Sequence, residues 1–573
     1  MLEYNAVGIC WRANHWSPDA ASVPSILPTK ERFMSHETDY IVIGAGSAGC
    51  AVAARLSERK TAQVLLIEAG GGNRRLEVKA PAAFSQQFHG KLDWDYWTEP
   101  EPHLNGRRLF SPRGKMVGGS SEMNAMIYLR GNRLDYDSWA ENGATGWSYA
   151  DVLPIFKRFE SNDEFGGAYH GTAGALKVTR IPDPDPVSLA LVEAAAALGI
   201  ERNNDFNGER QDGAGRVQVT QHRGMRFGSA EAYLAPIARR RNLKVRTDTL
   251  VTRIIIERGR AVGVETSDGK GNTERINARA EIIVSGGAFN TPALLQHSGI
   301  GPAEHLRSVG VQPIVDLPAV GENLMEHPLV YTTFELTDGH IGIADAAKPK
   351  YLLEWLIRRR GKLTSNVAEA AAHVRTDASM PAPNFQCLFA PGYFYDHGQM
   401  AWDVPAATIA MSYIAPRSRG TVRIRSNDPT RKPRVSYNLL SSRGEMDEMI
   451  DAVDLARDIA ATGPARAVLG TEITPGRDVR TRDEVEAWIR TSVQHTYHPA
   501  CTARIGTPDD GVVDPHLRVH GVDGLRVADT SVMPTIIRGN TNAPAIMIGE
   551  RCADFLGTTV ATSEATVTGS GAA

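Results

Sequence analysis

Two hydrophobic periods alternate along this chain. Residues 40–43 form a short β-branched run, which predicts a strand buried on both faces. A glycine turn follows, and AVAARLSE at 51–58 has helical composition. A second apolar run, QVLLIE at 63–68, predicts a neighbouring strand ending at Glu68. Near the other end, GVDGLRVADTSVMP at 521–534 holds a short strand, residues 525–528, running into Asp529 and a polar turn. In between, GAFNTPALLQHSGIG at 287–301 reads as a strand-to-helix turn, a short helix and a glycine stop. NFQCLFAP at 384–391 alternates, with Phe385, Cys387 and Phe389 on one face, and that face is read as core rather than pocket lining. SYIAPRSRGTVRIRSNDP at 412–429 predicts two strands joined by a turn. IARRRNLKVR at 237–246 reads as the solvated end of a helix.

The first strand and helix enclose DYIVIGAGSAG, with Gly44, Gly46 and Gly49 in GxGxxG spacing and Glu68 19 residues beyond the last glycine. Gly44 permits the tight turn, Gly46 lets the backbone approach a pyrophosphate, and Gly49 lets helix and strand pack closely. Ser47 and Ala48 stand where the first amides of the helix favour the phosphate charge. Glu68 is placed to accept hydrogen bonds from the adenosine ribose. This constellation fits NAD or FAD. A nicotinamide domain closes within about one domain length, whereas here Asp529 returns from the far end of the chain, as the late strand does in FAD domains. FAD is therefore expected.

Length and composition narrow the class. A chain of 573 residues exceeds one compact core, so at least two domains are expected. A formal charge of −3 provides no field to gather a polyanion, which argues against nucleic-acid binding. The five cysteines are widely spaced with no CxxC pair, so neither a disulfide framework nor a zinc ribbon is expected, and a cytoplasmic setting fits. No apolar run approaches the roughly 18 residues that span a bilayer. Met34 offers a second start, so residues 1–37 read as an N-terminal extension; 557–573, small and polar, read as a flexible tail. KYLLEWLIRRRGK at 350–362 is a basic amphipathic helix. Such a helix either contacts a membrane periphery, where a quinone acceptor would be met, or is a half-buried surface element; the second reading is preferred.

QHTYHPACTARIG at 494–506 poses three readings: a metal trio of His495, His498 and Cys501, a cysteine nucleophile, or a proton-transfer histidine. Pro499 breaks the helix on which three-residue spacing would gather the trio, and no second ligand pair exists, so no metal site is expected. Cys501 is more simply a small apolar filler, and no GxSxG elbow points to a serine hydrolase. A histidine fixed beside a proline on an irregular loop suits acid–base work.

With GKMVGGSSEMNAMIYLRGNRLDYD at 114–137 and RGNTNAPAIMIGERCADFL at 538–556, these segments resemble the glucose-methanol-choline oxidoreductases over about residues 38–556. The likeness is greatest to the bacterial choline and sorbose dehydrogenase branch, which includes aliphatic-alcohol and polyethylene-glycol dehydrogenases. The resemblance implies an FAD enzyme that oxidises an alcohol to the aldehyde by hydride transfer to flavin N5. It implies a small alcohol substrate and an electron acceptor that is either quinone-type or dioxygen. His498 matches the family's general base. The second catalytic position, 44 residues on in choline-type members, falls on Asn542. Gly118, Gly119, Asn124, Ala125 and Met126 match the segment against the flavin, Val251 a position whose backbone reads adenine, and Ala528, Asp529 and Thr541 further cofactor contacts. Met123 stands where some choline oxidases carry a flavin-linked histidine, which implies non-covalent FAD. Where members often have glycine and Asp, this chain has Cys501 and Glu326. The same scaffold also hosts non-oxidising relatives, of lyase or photodecarboxylase type, which stay an alternative; a non-catalytic flavin subunit would share the fold, and retention of His498 and Asn542 argues against it.

The expected architecture is mixed α/β. A Rossmann-type FAD domain is assembled from 38–160, 225–330 and 495–556. A substrate domain on an antiparallel sheet is built from 161–224 and 331–494.

Overall fold

The computed structural model describes residues 37–567 apart from Ala401. Of the expected extension only Glu37 is described, and of the expected tail the last residues, 568–573, lie outside the described residues. The helix Asn542–Val567 carries the backbone through most of that tail segment.

The apolar run at 40–43 belongs to the strand Glu37–Ile43, which lies between Val64–Ile67 and the C-terminal half of Thr273–Val284, parallel to both. A strand with parallel neighbours on each side and helices above has no wet face, hence its unbroken apolar sequence. Leu525–Val527 continues the parallel order beside Thr273–Val284, so the first and last strands of the domain are one strand apart. The N-terminal half of Thr273–Val284 turns instead into an antiparallel meander with Arg260–Ser267 and Leu250–Glu257.

The expectation of a basic helix end at 237–246 is corrected. Leu243–Arg246 is a parallel strand on the outer edge of this sheet, beside Val64–Ile67. It is half-exposed, so its sequence LKVR carries the cations that edge strands tolerate.

Helix Ser47–Leu56 is almost wholly buried because the last helix packs across it. Its small residues permit close approach: a Cβ on Gly549 would lie 2.5 Å from the Ala48 carbonyl oxygen. The buried Glu550 carboxylate fastens the pair, accepting hydrogen bonds from Arg55, Arg158 and Tyr233.

The second sheet is antiparallel throughout. Its order is Leu469–Thr474, Pro328–Leu336, Ala406–Tyr413, Phe385–Ala390, Ala370–Val374 and Gly213–Arg216. Gln494–His495 adds to the start of Pro328–Leu336, a strand that begins before the division expected at residue 330. Period two sorts its residues. Phe385, Cys387, Phe389 and Ile409 point into a core shared with Val187, Met449 and Val453. Leu329, Tyr331, Leu388, Ala390, Thr408 and Ala410 point the other way and form a cavity wall. The two strands expected at 412–429 do not make a hairpin: Ala406–Tyr413 ends in the large sheet, and Thr421–Arg423 pairs with Arg434–Ser436 in a separate ribbon. The intervening loop is drawn away by Glu445, which accepts the backbone N–H groups of Arg417 and Ser418.

Candidate active site

A single cavity runs from the glycine fingerprint to His498. At the fingerprint end the glycines serve distinct steric purposes. Gly44 has φ 96°, and a Cβ there would meet the Ser285 carbonyl oxygen at 2.4 Å. A Cβ on Gly49 would lie 1.9 Å from the Gly44 carbonyl oxygen, so this glycine serves helix–strand packing and is not on the cavity wall. Gly46 alone of the three faces open space, the place where a pyrophosphate would pass the backbone. Gly119 brings a second loop onto the first: its Cβ would lie 2.8 Å from the Gly46 Cα. Gly118 lies behind it, donating its N–H to the Ala45 carbonyl at 2.7 Å.

Ser47, Ala48, Glu68, Asn124, Ala125, Met126, Val251, Asp529 and Thr541 all line the cavity. Ala528 does not; it is core, with its N–H on the Val284 carbonyl at 2.8 Å. Glu68 accepts N–H bonds from Ala45 and Gly70, each at 2.9 Å, and burial pushes its pKa up to about 7 against those bonds. Asp529 is held more completely. Its oxygens accept from the Ser531 N–H at 2.8 Å, the Gly287 N–H at 2.8 Å and the Thr291 hydroxyl at 2.6 Å. The carboxylate therefore positions the turn and the helix start around the cavity. The backbone of 124–126 is equally fixed: Asn124 Oδ1 accepts from the Met126 N–H (3.0 Å) and Arg226 (2.8 Å), and the Ala125 carbonyl accepts from Asn366 (2.9 Å). Met126 has φ 59°, a left-handed conformation that these bonds hold in place.

At the other end, the loop after Gln494–His495 bends twice through left-handed backbone, at Tyr497 (φ 63°) and Cys501 (φ 76°). Cys501 thus occupies a conformation that favours glycine, a physical reason for glycine at that place in the resembling proteins. His498 lies between these bends and is 7% exposed. The Glu326 carboxylate fixes its place: one oxygen accepts both the His498 N–H at 2.8 Å and the His327 N–H at 2.9 Å.

The hydrogen bonds assign the imidazole tautomer. Gln386 donates to Asn540 Oδ1 at 3.2 Å, so the Asn540 amino group faces His498 Nε2 at 3.1 Å. Nε2 therefore carries the lone pair, and His498 Nδ1–H donates to His327 Nδ1 at 3.0 Å. Burial pushes the His498 pKa down to about 3; the neighbouring His327 adds to this and Glu326 opposes it. His327 is pushed down by burial to about 4. The pair is held neutral, with the Nε2 lone pair at the cavity wall accepting from the Asn540 amino group.

The structure does not hydrogen-bond the second expected site residue to His498. Asn542 does line the cavity, but its Oδ1 accepts the Ser47 hydroxyl at 2.7 Å, on the glycine loop. The carboxamide beside His498 belongs to Asn540. Asn542 opens the last helix, whereas Asn540 lies in the loop before it, and that loop carries Asn540 to the imidazole. His327, Asn540 and Gln386 are contacts of this site that sequence reasoning missed, and Glu326 was noticed there only as a departure, without a role. One signal was present: His327–Pro328 repeats the His–Pro pair of 498–499.

The trio read from spacing is replaced by another grouping. Among the described residues, the donor atoms that gather are those of Glu326, His327 and His498, within 4.8 Å of one another. Their geometry is that of hydrogen bonding: the carboxylate holds two backbone N–H groups, and the two Nδ1 atoms face each other across one proton. His495 turns away, with Nε2 on the Phe110 carbonyl at 2.9 Å and Nδ1 accepting the Tyr497 N–H at 3.1 Å. Cys501 is fully buried in the core, and burial raises its pKa strongly, so it is no thiolate nucleophile.

The wall facing His498 is apolar, with Phe84, Phe88, Tyr331, Val367, Leu388 and Phe394. The carboxylates on the cavity wall, among the described residues, are Glu68 and Asp529, and both are engaged by protein donors.

The chain is similar to known proteins over most of its length. Residues 38–329 and 416–549 match the N- and C-terminal parts of the GMC oxidoreductase family. A GMC-type oxidoreductase of Mycobacterium tuberculosis is 41% identical over 534 residues, covering 91% of this chain and 100% of the relative. An oxygen-dependent choline dehydrogenase of Sinorhizobium fredii is 40% identical over 534 residues, covering 91% and 95%. Among solved structures, pyridoxine 4-oxidase from Mesorbium loti superposes with a TM-score of 0.83 at 28% identity, covering 90% of this chain and 98% of that one. Formate oxidase of Aspergillus oryzae superposes with a TM-score of 0.86 at 27% identity, covering 91% and 98%.

Proposed function

The chain belongs to the GMC oxidoreductase family and is an FAD-dependent oxidoreductase acting on alcohols, and we propose that its substrate is a neutral primary alcohol, oxidised to the aldehyde with His498 as general base. The observation that supports this reading is a neutral His498 on the cavity wall, its Nε2 lone pair accepting from the Asn540 amino group, whose place at Nε2 a substrate hydroxyl would take. Bound FAD supplies the hydride acceptor, its N5, and passes electrons on to a quinone-type acceptor or dioxygen.

The protein's own task is the hydroxyl proton. Even a free imidazole near pKa ~6.5 is a weak base for an alcohol near ~16, a gap of roughly 13 kcal/mol, and the burial that lowers the His498 pKa widens it. No free alkoxide accumulates across such a gap, so proton loss to Nε2 accompanies departure of the hydride. Asn540 N–H donates to the substrate oxygen and fixes its approach. His327 accepts from His498 Nδ1–H and keeps the tautomer in which Nε2 is basic. The proton then resides on Nε2, and the resulting imidazolium lies within the field of Glu326.

The substrate class follows from the wall. A cation such as choline would meet aromatic faces that attract it but no free carboxylate, and the Arg113 guanidinium on the same wall repels it. A neutral aliphatic or benzylic alcohol loses nothing there. The test is an anaerobic panel of alcohols watched by flavin absorbance, followed by air. Bleaching by neutral primary alcohols and little response to choline is expected; choline as the preferred reductant would overturn the substrate reading. Rapid return of colour in air marks dioxygen as acceptor, and slow return a quinone-type one.

We read the FAD as non-covalent. Met123 is buried near the flavin-facing segment and offers a thioether, which forms no link to a flavin methyl group under these conditions. Acid precipitation is expected to leave a colourless pellet and a yellow supernatant. A yellow pellet would refute this.

A further inference from the structure

We propose that the helix Pro349–Arg358 docks the protein on an anionic lipid surface. The inner face of this helix is fully accounted for. Leu352 and Trp355 are buried in a cluster with Phe84, Val367, Ala390 and Phe394, which line the cavity, so the helix forms the outer layer of the cavity wall. Its outer face is apolar where a surface helix should be polar. Leu353 is 58% exposed, Leu356 42% and Ile357 71%, and their spacing of three and four residues sets them in one stripe. The neighbouring loop adds Trp402, 44% exposed, stacked on Tyr393 directly before cavity-lining Phe394.

Charge selects the occupant. Residues 345–362 hold six cations, Lys348, Lys350, Arg358, Arg359, Arg360 and Lys362, against two carboxylates, in a chain whose formal charge is −3. Asp345 takes Lys348 and Lys362, and Asp183 lies 3.9 Å from Arg360. Arg359 stacks over Trp355 with its guanidinium carbon 4.7 Å from the ring centre. Lys350 lies one helical turn before Leu353 on the outer face, and Arg358 ends the helix. Apolar side chains flanked by long cationic ones match the boundary between acyl chains and acidic headgroups, where the aliphatic stems enter and the charges meet phosphate. No described helix is long and apolar enough to cross a membrane, so the contact is peripheral.

The experiment is co-sedimentation of the FAD-loaded protein with vesicles of phosphatidylcholine alone and of phosphatidylcholine mixed equally with phosphatidylglycerol. Binding to the mixed vesicles that salt releases is expected, with little binding to phosphatidylcholine alone. The double variant Leu353→Asp/Ile357→Asp is expected to stay in the supernatant while keeping its flavin spectrum and its rate with a soluble acceptor. Lys350→Gln/Arg358→Gln, which leaves the apolar stripe intact, is expected to weaken partitioning on the order of tenfold. Absence of binding to anionic vesicles, or equal binding to both kinds, overturns the proposal. So does a wild-type dimer in light scattering that the Leu353→Asp/Ile357→Asp variant dissolves, because a second copy would then cover the face.

Discussion

Replacing His498 by alanine is expected to slow anaerobic reduction of the flavin by alcohol about 10²–10⁴-fold, with the protein still yellow. The loss falls on chemistry because His498 touches the reacting end of the cavity, whereas the pyrophosphate passes Gly46 at the other end. The pH dependence gives a second signature. The competent form of this base is neutral, and burial holds its pKa near 3, so acidification does not disarm it at the usual histidine value. Between pH 8 and about 5 the wild-type reduction rate is expected to stay level, with the fall of an ordinary imidazole near ~6.5 absent. Stopped-flow reduction across pH measures both points. A His498→Ala variant that reduces as fast as wild type would remove the assignment of the base, and an inflection near 6.5 would show an imidazole more solvated than its burial implies.

The two asparagines separate next. Asn540→Ala is expected to lower the rate of flavin reduction on the order of 10²-fold, the cost of removing one donor to a developing oxyanion. Its flavin content should match wild type. Asn542→Ala should behave in the opposite way: the Ser47 hydroxyl loses its acceptor on the glycine loop, flavin occupancy falls, and the fraction that keeps flavin reduces at an unchanged rate. Flavin-to-protein absorbance ratios and single-turnover traces on the same samples distinguish the two. If Asn542→Ala instead slows reduction at full occupancy, the contacts seen for Asn540 do not carry the chemistry.

These two residues also mark how far the chain could be read without a structure. The glycine fingerprint is local, and each glycine is demanded by a contact within one strand–turn–helix unit, so its spacing is informative. The late strand ending in Asp529 pointed to the flavin, and the resemblance added the role of His498 as base. A count of 44 residues leads to Asn542, whereas the hydrogen bond to His498 comes from Asn540, because the path from His498 to the last helix is loop, and loop length does not fix where a side chain points. The contacts of Glu326 and His327 are not legible for a similar reason: they reach His498 across 172 and 171 residues and follow from the pairing of Pro328–Leu329 with Gln494–His495. Leu243–Arg246 was missed because an edge strand with one wet face has the polarity of a helix end. Cys387 and its neighbours were read correctly because period two survives in a strand buried on one face and cavity-lined on the other.

The clamp between Arg55 and Glu550 joins residues 495 apart in sequence. At roughly 5–20 residues per second, a ribosome completes the second partner about half a minute to a minute and a half after the first. Through that interval the small-residue face of helix Ser47–Leu56 has no cover, and His498 and Asn540 have yet to be made. Cofactor capture is thus an event of the finished chain.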